Sequence, residues 1–183
     1  MEIIVFSGKA QSGKDTAAKI AKDYLEEMGN KVLITHYADL LKYICKTFLD
    51  WDGKKNDYGR KLLQEIGTEG FRSYNQDYWV NFIIDVLKVL PDKWDYVLIP
   101  DCRFPNEISR LREAGFVTTR VHIERGVDNP LNQEAKNHSS ENTLSNIPSE
   151  IVIYNKWDES YFEYSVREVI KYFFTEREVW LWQ

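Results

Sequence analysis

At 183 residues the chain has the length of one ordinary domain, enough to bury roughly 70% of the surface its unfolded form exposes. Apolar residues make up 43% and aromatics 14%, which excludes a disordered chain, and 24 Lys and Arg against 29 Asp and Glu leave a net charge of −5, which argues against sequence-independent binding to a nucleic-acid backbone. Cys45 and Cys102 lie far apart with no metal-ligand spacing, no secretory signal precedes them, and no run approaches ~18 consecutive apolar residues, so the expectation is a globular protein of the reducing cytoplasm, neither exported nor membrane-spanning.

The first element, Glu2-Ile3-Ile4-Val5-Phe6, is short, β-rich and almost wholly apolar, as a strand buried on both faces of a parallel sheet should be. A glycine-bearing turn follows, and from Lys14 to about Met28 the residues Ala17, Ala18, Ile20, Ala21, Leu25 and Met28 recur at helical spacing until Gly29-Asn30 supplies a stop. Lys31 to Thr35 reads as a strand and Leu40 to Phe48 as a helix. Asp50 to Asp57 is a polar connector, and residues from about 52 to 90 contain no strand and predict two or three inserted helices. Tyr96 to Ile99 is a second fully apolar strand, Phe104 to Ala114 a helix ended by Gly115, and Phe116 to Ile123 another strand. Glu150 to Tyr154 and Glu159 to Phe174 close the series as a strand and a helix. Strands alternating with helices predict an α/β fold with a parallel five-stranded sheet covered on both faces, in one domain spanning residues 1 to 183. Residues 124 to 148, with Gly126, Pro130, Pro148 and several asparagines, predict a long loop, either a lid over a site or a disordered segment.

Gly8-Lys9-Ala10-Gln11-Ser12-Gly13-Lys14-Asp15-Thr16 matches the P-loop pattern G-x-x-x-x-G-K, placed where it must be, after a buried strand and at the opening of a helix. The glycines let backbone N–H groups turn inward, the helix N-terminus adds partial positive charge, and Lys14 can reach the β- and γ-phosphates of a nucleoside triphosphate. Asp15 stands where the commonest form carries the Ser or Thr that contacts Mg²⁺, and Thr16 follows one place later. Asp15 either favours the helix N-terminus electrostatically or reaches the metal through water.

These nine residues, read with Leu62-Leu63-Gln64-Glu65-Ile66-Gly67-Thr68-Glu69, Asp77-Tyr78-Trp79-Val80 and Ile99-Pro100-Asp101-Cys102-Arg103-Phe104-Pro105-Asn106-Glu107, resemble the deoxynucleoside monophosphate kinases of tailed bacteriophages. The likeness runs in matching order over roughly residues 1 to 155. It implies the three-layer P-loop kinase fold with a helical acceptor-binding insertion and a mobile lid. It also implies transfer of the γ-phosphoryl group of ATP to a deoxynucleoside 5′-monophosphate with Mg²⁺, and small-molecule nucleotides as the partners.

Carried over position by position, the resemblance implies that Lys14 and Thr16 serve the donor phosphates and assigns Asp101 to the Mg²⁺ region. Asp101 also lies just outside a buried parallel strand, in the crevice where α/β sheets bind ligands; the competing role is to cap the next helix. Arg103 offers a guanidinium fork for phosphate, or pairs on the surface with Glu107 four residues on. On the acceptor side stand Asp39 and Lys42 after the second strand and Arg60 and Arg72 in the inserted helices; Trp79 either stacks on a base or packs in the core. Arg125 and His138 in the lid resemble the family's arginine and H-x-S-E segment, and Asn155 falls where the adenine edge lies in this fold. A P-loop kinase for another phosphate or hydroxyl acceptor, such as phosphomevalonate or dephospho-coenzyme A, and a non-catalytic nucleotide-binding protein stay open. So do the base accepted and the oligomeric state, a homodimer through the tail Val179-Trp180-Leu181-Trp182 included.

Overall fold

The computed structural model describes residues 1–125, 144, 149–156 and 158–175. Its centre is β1 (Glu2–Ser7), in which every residue after Glu2 is buried. The other strands are β2 (Val32–Ile34), β3 (Tyr96–Ile99), β4 (Val117–Arg125) and β5 (Ile151–Asn155), and the sheet order is β2-β3-β1-β4-β5. All four pairings are parallel; Ile3 lies opposite Val97 on one side and Thr118 on the other.

Side chains alternate across a strand, so the apolar runs feed two cores. Ile3, Val5, Val97 and Ile99 face α2 (Ala38–Phe48), α4 (Tyr78–Val89) and α5 (Pro105–Glu113), with Leu41, Ile83, Leu87 and Leu111 among the packed residues. Ile4, Phe6, Leu98, Val121 and Ile123 face α1 (Lys14–Glu27) and α6 (Glu159–Ile170) through Ala17, Ala21, Phe162 and Val166. The result is three layers, helix on sheet on helix. Because β1 has β3 on one flank and β4 on the other, the chain changes side of the sheet at its centre, and ligands of open α/β sheets bind at the carboxyl ends of the strands near such a switch.

The predicted insertion is present as α3 (Asp57–Gln64), a wide-turned π-type segment (Glu65–Arg72) continuous with it, and α4. Among the described residues it holds no strand. Asn56 caps α3 by accepting from the Gly59 N–H at 2.8 Å. A comparable wide turn, Lys171–Thr175, continues α6, so the closing helix is not regular to its end as the periodicity predicts. Strand β4 runs on through Arg125, placing Glu124 and Arg125 on a strand end and not in the lid. Apart from Leu144, the rest of the predicted lid, with His138, and the Trp-rich tail lie outside the described residues.

Trp79 settles into the first core. It is 4% exposed, its indole N–H donates to the Gly67 carbonyl at 3.2 Å, and its ring meets Phe71 and Tyr78 at centroid distances of 5.0 and 4.9 Å. The stacking role for Trp79 is therefore corrected: both its polar tip and its faces are occupied by the insertion itself. Trp79→Phe should remove the bond to the Gly67 carbonyl and leave a void in the core, costing about 2 kcal/mol and lowering the thermal midpoint by about 4–8 °C. The acceptor KM should stay within about twofold; a base-stacking role would raise it by the ~1–3 kcal/mol that such contacts are worth.

Candidate active site

The cradle begins where β1 ends. Gly8 (φ 140°) and Gly13 (φ 103°) take backbone conformations that L side chains rarely adopt, and each is packed so closely that a Cβ would sit 2.3 Å from the Ile123 carbonyl oxygen or 2.8 Å from Asn155 Nδ2. Gln11 also has positive φ, and the Ser12 N–H closes the loop on the Lys9 carbonyl at 3.1 Å. Lys14 Nζ donates to the carbonyls of Gly8 and Lys9, each at 2.7 Å. Asn155, ending β5, donates from Nδ2 to the Ser12 carbonyl at 3.0 Å, and Arg125, ending β4, donates to the Gln11 carbonyl. Loop and strand ends thus enclose a cavity of about 310 Å³ lined by Gln11, Gly13, Lys14, Asp15, Thr16, Arg125 and Asn155. Ser12 Oγ is buried beside it with no hydrogen-bond partner among the described residues.

Six predicted residues, Gly13, Lys14, Asp15, Thr16, Arg125 and Asn155, therefore line one cavity. Asn155, expected at an adenine edge, uses its amide to fix the backbone of the loop.

A second cluster joins the cradle to α2. His36, following β2, places Nε2 2.9 Å from Asp15 Oδ1 and Nδ1 3.2 Å from Asp39 Oδ2. Asp39 Oδ2 also accepts the His36 backbone N–H at 2.9 Å, and Oδ1 accepts from Lys42 Nζ at 2.9 Å. With a carboxylate at each ring nitrogen the imidazole is held as a double donor. The Asp39 hydrogen bond, against the pull of burial and with help from Asp15 and Asp101, raises His36 to about 9. Burial would raise Asp39, but hydrogen bonds from His36 and Lys42 outweigh it and hold this carboxyl below the usual range. Asp101 accepts the backbone N–H groups of Tyr37 and Ala38 at 3.0 and 3.1 Å. It caps the helix that follows β2, not the one after its own strand, and burial pushes its carboxyl up despite those donors.

The third cluster carries a correction. Glu107 is not a surface partner of the Arg103 side chain: it is 2% exposed, and its Oε2 accepts the backbone N–H groups of Arg103 at 2.6 Å and Phe104 at 3.0 Å, capping α5. Its other oxygen pairs with Arg72, whose guanidinium stacks on the Phe104 ring at 3.9 Å. Burial pushes Glu107 up to about 7, against the pull of Arg72 and the two amides. Arg103 is solvent-exposed, and Arg60 lies on α3 with Nε on the Lys55 carbonyl at 3.1 Å.

Sequence reasoning missed His36, and it missed Ser7, Arg120 and His122. Ser7 Oγ lies 3.2 Å from His122 Nδ1 and accepts from Arg120 Nε at 2.8 Å, under the cradle. The available signal was positional: a charged residue inside an apolar strand, and a histidine at a strand's carboxyl end.

A family model described as deoxynucleotide monophosphate kinase matches residues 41–163, more than half of the chain. The chain belongs to the deoxynucleotide monophosphate kinase family. The family match begins after the cradle, so the P-loop rests on its own geometry and adds to it. Among curated relatives, the deoxynucleotide monophosphate kinase of Enterobacteria phage T4 is 30% identical over 98 residues; the match covers 52% of this chain and 38% of the phage protein, so this family member spans well under two thirds of that relative. The tunicamycin resistance protein of Deinococcus radiodurans (TM-score 0.54, 11% identity) aligns over 93% of this chain and 94% of its own. The APS kinase of Mycobacterium tuberculosis in complex with AMPPNP and APS (0.53, 14%) covers 93% and 95%, and the shikimate kinase of Bacteroides thetaiotaomicron (0.52, 13%) covers 93% and 96%. At such identities these structures establish the fold of this family member, that of the P-loop kinases.

Proposed function

We propose that the chain transfers the γ-phosphoryl group of ATP to a deoxynucleoside 5′-monophosphate. The observation that carries this reading is the convergence of Lys14, Thr16, Arg125 and Asn155 on one cavity at the mouth of the cradle. Inward-turned amides, a helix N-terminus and two cations suit a triphosphate. The buried hydroxyl of Ser12, lacking a partner among the described residues, fits an anion seated in that loop.

Mg²⁺ fits the same residues. It keeps several waters and needs only one or two carboxylates besides the phosphates, so a cradle is enough. Among the described residues no group of three His, Cys, Asp or Glu forms a dedicated cage. The Thr16 hydroxyl, in the cavity lining, would hold it directly. Each oxygen of Asp101 already takes one amide and keeps a lone pair, which suits contact through a coordinated water. When bound, the ion supplies charge neutralisation across the β- and γ-phosphates.

The acceptor chemistry also favours a phosphate over a hydroxyl. A hydroxyl acceptor needs a general base, and Asp39, held by His36 and Lys42 and kept below the usual carboxylate range, is a poor one. A phosphate acceptor, with a second pKa of about 6, is already mostly dianionic at pH 7 and needs none. Arg103 and Arg72 then meet that charge. The reading calls for small-molecule nucleotides as partners and for a cytoplasmic setting; no described helix is long and apolar enough to cross a membrane.

The test is ADP release from ATP and Mg²⁺ with each deoxynucleoside monophosphate, its ribose counterpart, phosphomevalonate and dephospho-coenzyme A. Turnover with one or more deoxynucleotides is the expected result and names the base. Turnover confined to phosphomevalonate or dephospho-coenzyme A would overturn the acceptor, and ATP binding with no ADP released for any acceptor would overturn catalysis.

A further inference from the structure

Asp15 is the one departure of the P-loop from its commonest form, and the phosphate chemistry above leaves it without a task. Its side chain is 81% exposed, so the electrostatic benefit of an acid at a helix start is small and screened. Its carboxylate nevertheless meets His36 Nε2 at 2.9 Å, from a residue 21 positions later in the chain.

His36 is held far more firmly than Asp15, with 24% of its side chain exposed. Its backbone N–H and Nδ1 both meet Asp39 Oδ2, and the next two residues, Tyr37 and Ala38, give their N–H groups to Asp101. The Tyr37 hydroxyl donates to the Glu107 carbonyl at 2.9 Å. The first turn of α2 is thus tied on one side to the loop after β3 and on the other, through the imidazole, to the first turn of α1.

We propose that His36 is a positioning residue: by bridging Asp15 and Asp39 it fixes the start of α2, which carries Asp39 and Lys42, at a set span from Lys14 in the cradle. The proposal rests on the nucleotide-kinase reading for its functional consequence, because in-line transfer requires donor and acceptor phosphates to meet at a set distance. The donor side does not share the dependence. Asn155 and Arg125 brace the loop from β5 and β4, whereas the start of α2 is tied to the cradle itself through His36, its other tethers, Asp101 and the Tyr37 hydroxyl, running to the loop after β3 and to α5.

The experiment compares wild type, His36→Ala, Asp15→Ala and the double variant, with separate KM values for ATP and for the acceptor nucleotide. His36→Ala should raise the acceptor KM about tenfold and leave the ATP KM within about twofold, since a misplacement near 1 Å can cost up to ~10²-fold. Because both changes cut one bridge, the double variant should show an acceptor KM no higher than that of His36→Ala. Parallel rises in both KM values, or effects of the two substitutions that multiply, would overturn the bridge. Amide hydrogen exchange separates this outcome from failure of the kinase reading. If the wild type turns over no nucleotide, exchange of residues 38–41 should still be about tenfold faster in His36→Ala than in wild type, with α6 unchanged. Equal exchange in the two proteins would sink the proposal without any reference to catalysis. Asp15→Ala, made at an exposed position, supplies the same comparison if His36→Ala does not fold.

Discussion

Lys14→Ala is expected to lower kcat/KM for ATP about 10²–10³-fold, the loss typical of removing one preorganised group that meets developing charge. The same substitution should leave the fold intact. In the structure Lys14 Nζ donates to the carbonyls of Gly8 and Lys9, and at about 1 kcal/mol for each such hydrogen bond the loss is modest beside a sheet whose core lies elsewhere. Gly8 is half-buried and Lys9 exposed, so neither residue is sealed from solvent when the lysine is removed. The contrast between a large kinetic effect and a small thermal one separates a phosphate-binding lysine from a lysine that only braces its loop. Steady-state turnover and a thermal melt on the same preparation check both halves. Turnover within threefold of wild type would remove the donor-site assignment.

The elements legible in the sequence were those whose pattern is local. Strands β1 and β3 could be read because a run such as Val97-Leu98-Ile99 has no polar side to expose, and that is the mark of a strand covered on both faces. The cradle could be read for the same reason: nine consecutive residues carry both the turn and the lysine. What stayed hidden depends on meetings between distant positions. Asp15 and His36 are 21 residues apart, Arg72 and Glu107 are 35 apart, and Asn155 and Ser12 are 143 apart. Periodicity says which face of a helix is apolar, not which acid on one element faces which base on another. The Asp101 assignment illustrates the limit. Its place at a strand end was correct, but its carboxylate caps α2 because the parallel sheet brings the start of that helix alongside β3. The wide-turned segment Glu65–Arg72 was equally out of reach, since helical spacing alone does not distinguish its turns from regular ones, and the Gly67 carbonyl it presents is taken up by Trp79 from the next helix.

Arg72→Ala is expected to destabilise the protein by about 3 kcal/mol at pH 8, and by clearly less at pH 5.5, because it strips the cation from a fully buried carboxylate. Burial already raises Glu107 from its ordinary value to about 7 even with Arg72 beside it and two amides donating to it. A carboxyl raised in the folded state stabilises the fold in its protonated form, so that contribution is present in acid and is lost as the pH climbs through about 7. Without Arg72 the carboxyl rises further still. Above neutral pH the variant must then either bury an uncompensated charge or bind a proton at unfavourable cost, whereas at pH 5.5 Glu107 is neutral and the missing guanidinium matters mainly for its stacking on Phe104. Denaturant unfolding at the two pH values measures the difference directly. An equal loss at both would show that Arg72 acts through packing alone. Glu107→Gln tests the same pair from the other end: it keeps the shape of the cap and removes the titrating group, so its cost should be greatest in acid and shrink as the pH climbs through about 7. The pairing also bears on function, because a guanidinium held by Glu107 and laid flat on Phe104 is fixed before any acceptor phosphate arrives, and ordering that side chain is then no longer part of the cost of binding.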